Sequence, residues 1–483
     1  MKLLGGGLAG AAAGGALVKR EDILAFLDAD KAAGAAGTDL GKVTTRYYKP
    51  LGKDLSLLGF GCMRLPTTFT ASGREIDKEL GEKMVDFAYR HGINYFDTAW
   101  FYHDGKSEAF IGQALQKHPR DTVYLADKMP TSILTGLDQA KDIFQTQLDR
   151  CQVAYFDNYM LHSLISQDQF DELYIQGGIL DYLRQKKARG RIRCLGFSFH
   201  GDVPFFHYLL DQYDWDFCMI QLNYADWNEP GEAPSGSRQA GDLYRKCREK
   251  DVPIFVMEPV KGGNLANLSS SAEAILKQQR PEASMASWAL RWGGSKEGVI
   301  TMNSGMSNLE QVLDNIRTLS NFQPLSAAEE RAIQRSLGKE AGSGAIPCTY
   351  CRYCEPCPYG VDIAGVFHIY NRYGEPAGID VDHPQGASAA QEKAFLAHYQ
   401  NNLERPQRAS HCTACGRCLP KCPQHIDIPK HVRAIDDVVH LFSSLPGRCY
   451  PSAGAGRERK DKNRHRPLCP IPLSHRPRRH RLR

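Results

Sequence analysis

Eight short apolar runs, interleaved with amphipathic helical stretches, set what most of this 483-residue chain can fold into. The runs are LLGFG (57–61), INYFD (93–97), VYLADK (123–128), NYMLH (158–162), IRCLGFS (192–198), CMIQLN (218–223), PIFVM (253–257) and GVITM (298–302). Between them, residues 78–91, 137–150, 169–188, 238–250 and 309–319 place apolar residues at helical spacing. Eight strands alternating with helices over about 250 residues is the signature of an α/β fold of the (β/α)8 TIM-barrel type. A doubly wound sheet is the rival, but no G-x-G-x-x-G strand–helix fingerprint supports it. A barrel over 45–322 is therefore expected.

In such a barrel, polar residues at the strand C-termini face the functional mouth. Those ends carry Asp97, Lys128, His162, Ser198 and Gln221. Each alone has an ordinary explanation: a cap, a solvated lysine, a satisfied core histidine. Their recurrence at the same end of successive strands is harder to explain that way.

The motif Asp97-Thr98-Ala99 with Tyr102 five residues after the Asp, then Lys128 in LADKMP and His162 in DNYMLHS, follow one another in this order. On these residues the chain resembles the aldo/keto reductases over 47–320. The resemblance implies carbonyl reduction by hydride from a nicotinamide, with Tyr102 giving a proton to the developing alkoxide. A free phenol titrates near ~10, and an adjacent Lys128 ammonium is expected to lower that value. Asp97 would hold Lys128 charged and oriented, and His162 would donate a hydrogen bond to the carbonyl. His103 has suitable chemistry but no motif position, and reads as a rim residue. Trp100, Phe101, Trp227 and Trp288 are candidates for the walls.

By the same resemblance, Ser198 and Gln221 hold the nicotinamide carboxamide. Ser304, Gly305, Met306 and Ser307, with Gln311, Asp314 and Asn315, form the late loop and helix start that bind the adenosine phosphate, since a helix N-terminus is an anion site. Three positions depart from the family pattern. Phe199 replaces an Asn, Met257 replaces a stacking aromatic, and Gln311 replaces an Arg, with no Lys or Arg between 299 and 316. These leave NADP versus NAD open and keep a flavin among the alternatives.

Eight of the fifteen cysteines fall in two further runs. Cys348, Cys351, Cys354 and Cys357 precede Pro358; Cys412, Cys415, Cys418 and Cys422 precede Pro423. A thiolate every third residue lets a tight loop wrap three corners of a cubane. The second run has the ferredoxin spacing C-x2-C-x2-C-x3-C-P, whose fourth Cys ligates the other cluster where two are present. Zinc in sulfur sites and disulfides are the alternatives. Cysteines 62, 151, 194, 218, 247, 449 and 469 have no ligand spacing, and the first five read as core thiols.

Chains that join this barrel to runs like CTYCRYCEPCPYGVDI and CTACGRCLPKCPQHIDI form a branch of the same family. The resemblance implies two 4Fe–4S clusters in a domain over 323–440. The 54 residues between the runs, with a helix near 389–403, favour an all-helical dicluster type. Cys348, Cys351, Cys354 and Cys422 would then bind one cluster, and Cys412, Cys415, Cys418 and Cys357 the other. Helices from Ile363 and Ile428 would pack against them.

The ends differ in composition. Residues 3–18 are a Gly/Ala-rich apolar stretch resembling the core of a twin-arginine signal without its arginine pair, so 1–44 reads as a flexible leader. Residues 448–483 hold twelve Arg and Lys against two acids, which turns a remainder of −5 into a formal +5. The tail, 441–483, reads as disordered. Without aromatic interleaving it does not point to nucleic acid, and no apolar run is long enough for a transmembrane helix. A cytoplasmic protein is expected, with periplasmic export as the alternative. Partners are a small carbonyl or alcohol and a protein electron donor or acceptor. Two functions of different class follow: a carbonyl reductase carrying clusters, or an electron-transfer module on a catalytically weak barrel.

Overall fold

A computed structural model of the chain describes residues 19–33, 40–70, 73–233, 238–340, 344–381 and 387–444. The Gly/Ala stretch over 3–18, the basic tail beyond 444, and Cys449 and Cys469 lie outside the described residues.

Each apolar run is a strand: β1 (Leu58–Gly61), β2 (Tyr95–Asp97), β3 (Tyr124–Met129), β4 (Phe156–Leu164), β5 (Ile192–Phe199), β6 (Phe217–Gln221), β7 (Ile254–Met257) and β8 (Val299–Gly305). They pair in chain order, all parallel, and β8 closes on β1. Burial on both faces explains why these strands read as continuous apolar runs rather than as alternating ones. Inside the barrel pack Tyr95, Met160, Phe217, Met219 and Phe255. An antiparallel hairpin, Thr45–Tyr48 with Lys53–Ser56, seals the strand-start end. Its Tyr48 and Leu55 join the interior core, so only the strand C-termini are left for a site.

The helices lie outside, starting where the sequence offers caps. Asp77 accepts from Leu80 N at the head of Lys78–Arg90, and Asn308 from Gln311 N at the head of Leu309–Leu319. The helix expected over 169–188 is two pieces. A π-helical stretch, Asp171–Gln176, gives way at Gly177 and Gly178 before Ile179–Ala188 begins. Gly178 sits at φ +71, a conformation that ends a regular helix.

Two stretches differ from the expected division of the chain. Residues 20–33, placed in a flexible leader, form the helix Arg20–Ala33, which buries Leu27 in the barrel's outer core. Arg20 bonds Asp77 and Lys83 bonds Asp28, which fastens this helix to Lys78–Arg90. The helix Ala327–Glu340 lies beyond the expected barrel boundary at 322, yet its Ala332 and Ile333 belong to the same outer core. Glu329 is held by Arg280 and Arg291.

The remaining unit is helical. Ile363–Ile369, Ala389–Asn402 and Ile428–Ser444 enclose Val366, Phe367, Phe395, Tyr399, Val432 and Ile435 in a core of their own. A capping box of Ser388 with Gln391 starts the middle helix. Six of the eight cysteines, Cys348, Cys354, Cys357, Cys412, Cys418 and Cys422, pack against this core.

Candidate active site at the barrel mouth

The closed barrel brings Asp97, Lys128, His162, Ser198 and Gln221 to one end, all of them buried. Lys128 Nζ donates to Asp97 Oδ1 at 2.5 Å and to Thr98 O at 2.6 Å. The same ammonium lies 4.8 Å from the Tyr102 ring centroid. Tyr102 and His162 meet edge to face, with centroids 6.2 Å apart. Tyr102 is positioned by the turn after β2, where its backbone N donates to Ala99 O.

The electrostatics differ from expectation at one point. The Lys128 ammonium does not bring the Tyr102 phenol below its ordinary value. Burial and the Asp97 carboxylate push it well above its ordinary value, and a hydrogen bond with the Tyr353 hydroxyl opposes them. The physical reason is that burial of the phenol outweighs the Lys128 ammonium, whose hydrogen bonds go to Asp97 and Thr98 O. Burial, then Lys128, then His200 hold His162 well below the usual imidazole range, so it is neutral at neutral pH.

Tyr353 belongs to the first cysteine run, between Cys351 and Cys354. Its hydroxyl lies 2.9 Å from His162 Nε2. Its ring packs edge-on against His162 and His200, at 5.8 and 6.1 Å. The helical unit thus reaches into the barrel mouth. Gln424, just after Cys422, does the same: its Nε2 donates to Gln221 Oε1 at 2.9 Å, and Gln221 Nε2 returns a bond to Gln424 Oε1 at 3.3 Å. Arg64 donates to Thr349 O at 2.6 Å and Asn264 to Cys348 O at 3.3 Å. Glu258, its carboxyl raised by burial to about 7, lies 3.5 Å from Gln424 Nε2.

Sequence reasoning missed Tyr353, Gln424, Arg64 and Glu258. Tyr353 and Gln424 lie 191 and 203 residues from their partners, and no periodicity reports contacts of that range. It also missed Asp226, which gathers Gln221, Asn223 and Lys261 on one carboxylate. Of the proposed walls, Phe101 is exposed near His162, at 6.5 Å. Trp288 is wholly enclosed in the core, and Trp227 packs on Tyr244 and Trp292. His103 accepts from Leu65 N at 3.0 Å.

The loop expected to bind adenosine phosphate is also assembled. Ser304 Oγ accepts from Asn315 Nδ2, and Ser307 N donates to Gln311 Oε1. Asp314 accepts from the Ser284 hydroxyl. The Arg64 side chain packs across Gly305, where an added Cβ would meet it at 3.0 Å. It places a cation beside a loop whose residues 299–316 hold no Lys or Arg. Phe199 turns into a cluster with Phe197, Phe205 and Phe206, and Met257 packs on the barrel interior.

The cysteines sort into two groups that cross the sequence runs. Cys348, Cys351, Cys354 and Cys422 lie close enough to act on one another's charge, and so do Cys357, Cys412, Cys415 and Cys418. Tyr350, Arg352, Ala414 and Gly416 take left-handed φ values of 57, 63, 55 and 73° between the cysteines. Such turns aim successive N–H groups inward, as anion and iron–sulfur sites require, and Tyr350 N donates to Cys348 Sγ at 3.4 Å. Among the described residues, no three His, Cys, Asp or Glu side chains converge as ligands of a single metal ion do. A cubane keeps its thiolates further apart, because its own irons and sulfides fill the space between them. These two thiol quartets are the residues that would hold the clusters of a dicluster domain.

Residues 57–337 match the model of the aldo/keto reductase family, and residues 344–426 match that of a 4Fe–4S dicluster domain. The chain is 25% identical over 299 residues to the uncharacterised oxidoreductase YqkF of Bacillus subtilis (strain 168), covering 58% of this chain and 92% of that protein. It is 24% identical over 335 residues to the NADH-specific methylglyoxal reductase of Escherichia coli (strain K12), covering 60% and 98%. The solved structure of a thermostable aldo-keto reductase, Tm1743, is similar with a TM-score of 0.50 at 17% identity over 60% of this chain and 99% of that one, a likeness of fold alone. No helix among the described residues is long and apolar enough to cross a membrane.

Proposed function

The chain belongs to the aldo/keto reductase family and carries a 4Fe–4S dicluster domain, and from that premise we propose that it reduces a small carbonyl, or oxidises the matching alcohol, with Tyr102 as general acid or base. The observation that carries this reading is the Lys128–Asp97 pair set under the Tyr102 ring with His162 at its edge. A bound NAD(P)H supplies the hydride. Tyr102 gives its phenolic proton to the carbonyl oxygen as the hydride reaches the carbon, so the product is the alcohol. The neutral His162 orients that oxygen by a hydrogen bond, and the Lys128 ammonium steadies the phenolate left behind. Gln221 and Ser198 hold the nicotinamide carboxamide. Ser304, Gly305, Ser307, Gln311 and Asn315, with Arg64, receive the adenosine phosphate. Arg64 favours a phosphorylated ribose, hence NADP over NAD.

The domain's two quartets would each hold one cluster, supplying one-electron transfer. The outer quartet faces solvent: Cys415 is exposed, as are Tyr359 at 47% and Leu419 at 42%. Residues 405–426 hold Arg405, Arg408, Arg417 and Lys421 and no acid. Apolar side chains in a basic surround suit a small acidic electron-carrier protein. We read the protein as cytoplasmic, and its units as a barrel running through Glu340 and a dicluster domain from 344 to 444.

The test is Tyr102→Phe in protein with its clusters intact. Loss of general acid should lower carbonyl reduction by about 10²–10⁴-fold; an unchanged rate would overturn the enzyme reading. A second reading, an electron-transfer module on a catalytically weak barrel, draws support from the occupied mouth, where Tyr353 and Gln424 already engage His162 and Gln221.

A further inference from the structure

We infer that the dicluster domain is a displaceable stopper, in which Tyr353 and Gln424 compete with the carbonyl substrate and with the nicotinamide for the barrel mouth. The inference rests on the roles proposed above for Tyr102, His162 and Gln221.

A carbonyl oxygen awaiting reduction needs two groups at once, the phenol of Tyr102 and the imidazole of His162. The Tyr353 hydroxyl stands at both: it lies 2.9 Å from His162 Nε2 and close enough to Tyr102 to act on its phenol. A nicotinamide is gripped by its primary amide. Gln424 presents a primary amide, buried, in a reciprocal pair with Gln221. One side chain thus copies the substrate's oxygen and the other the cofactor's carboxamide.

Both are carried by one quartet. Cys351 and Cys354 flank Tyr353, and Gln424 follows Cys422 by two residues. The crossing of the sequence runs is what puts these two segments side by side over the mouth. They therefore arrive and leave together, and the condition of that quartet governs both.

The fastening is of a kind that can release. The barrel and the domain keep separate apolar cores. The bonds described above that join them are polar: Arg64 to Thr349 O, Asn264 to Cys348 O, Tyr353 with His162, and Gln424 with Gln221. Each such bond shifts an equilibrium by only a few-fold to about tenfold, well within what a bound dinucleotide can offset.

The experiment uses the full chain with clusters loaded, under anaerobic conditions, as wild type, Tyr353→Ala, Tyr353→Phe and Gln424→Ala. Cluster absorbance per chain checks each fold. The first readout is carbethoxylation of His162 by diethyl pyrocarbonate, followed by peptide mass spectrometry; the second is NADPH and NADH affinity by equilibrium dialysis. His162 should react about five- to tenfold faster in Tyr353→Ala, with a smaller rise in Tyr353→Phe, and Gln424→Ala should bind dinucleotide about fivefold tighter. With absorbance intact, His162 equally protected in Tyr353→Ala, or dinucleotide binding unchanged or weaker in Gln424→Ala, overturns the inference. If no form binds either dinucleotide while His162 becomes reactive, the Tyr353 stopper stands and the nicotinamide assignment falls.

Discussion

A wedge at Gly262 would separate the domain from the barrel without touching the tetrad, the cysteines or the dinucleotide loop. Gly262 lies at φ +64 in the loop after β7, and a Cβ there would sit 2.5 Å from Thr349 O and 2.7 Å from Thr349 Cα. Atoms in comfortable contact stay about 3.5 Å apart, so Gly262→Ala must move the Thr349 backbone by about 1 Å. Thr349 is four residues from Tyr353. A matching shift would stretch the 2.9 Å Tyr353–His162 bond past the length at which it counts as one. Losing a neutral hydrogen bond costs about 0.5–1.5 kcal/mol, so the mouth should open about 2- to 10-fold more often. Left-handed backbone strain of about 1–2 kcal/mol comes with any side chain at this φ. Gly263→Ala supplies the control, because Gly263 is at φ +103 with nothing within 4 Å of its added Cβ. His162 carbethoxylation should therefore rise in Gly262→Ala and not in Gly263→Ala. Equal rates in both would refute the argument that close approach of Thr349 keeps Tyr353 in place.

Three further outcomes follow from the geometry. Cys422→Ser should remove the cluster of Cys348, Cys351 and Cys354, halving iron from about eight to about four atoms per chain, and should expose His162. Cys357→Ser should halve the iron as well but leave His162 protected, and identical behaviour of the two would contradict the crossed quartets. His103, lowered from 6.5 to about 4 by burial and then Arg74, is neutral when folded and accepts from Leu65 N. A depressed imidazole makes stability fall as pH drops from 6.5 toward 4, by at most about 3 kcal/mol and about 1–2 after allowing for its part exposure. Urea midpoints at pH 6.5 and 4.5 should accordingly differ less in His103→Gln than in wild type. Finally, reduction of the clusters by an acidic carrier protein should slow as salt rises, and Arg417→Glu with Lys421→Glu should slow it further at low salt, read by stopped-flow bleaching.

The barrel was legible because its strands are buried on both faces and so leave unbroken apolar runs from LLGFG to GVITM. The gathering of Asp97, Lys128 and His162 was legible because polar residues recur at the same end of successive strands, and Tyr102 joined them only through the family motif. The crossed grouping was an expectation from cysteine spacing and the family resemblance, and the charge couplings of Cys351, Cys354 and Cys418 run along the same grouping. What did not show were properties of packing between units. Nothing in CTYCRYCEPC marks Tyr353 rather than Tyr350 as the ring that enters the mouth; that depends on the turns between the cysteines. The pKa of Tyr102 was misjudged for a related reason. Spacing gave Lys128 as a neighbour but not the burial and the Asp97 carboxylate that outweigh it. The helix Arg20–Ala33 escaped notice because its apolar face is short, Leu27 buried with Ile23 and Phe26 packed beside it, between charged residues that bond Asp77 and Lys83.

The arrangement also bears on how hydride and electron chemistry coexist in one chain. A nicotinamide gives two electrons as hydride, whereas a cluster takes one, and linking them directly requires a converter. With Tyr353 on His162 and Gln424 on Gln221, the inner quartet stands against the mouth only while substrate and carboxamide positions are filled by the chain itself. When those positions are given up, the quartet has withdrawn with the loops that carry both side chains. Close approach of the cluster and occupancy by a dinucleotide are then alternative states of one surface, and no converter between them is needed. Under the stopper proposed above, the clusters would act on the barrel through access, and would exchange electrons at the outer, basic face around Cys415 and Leu419.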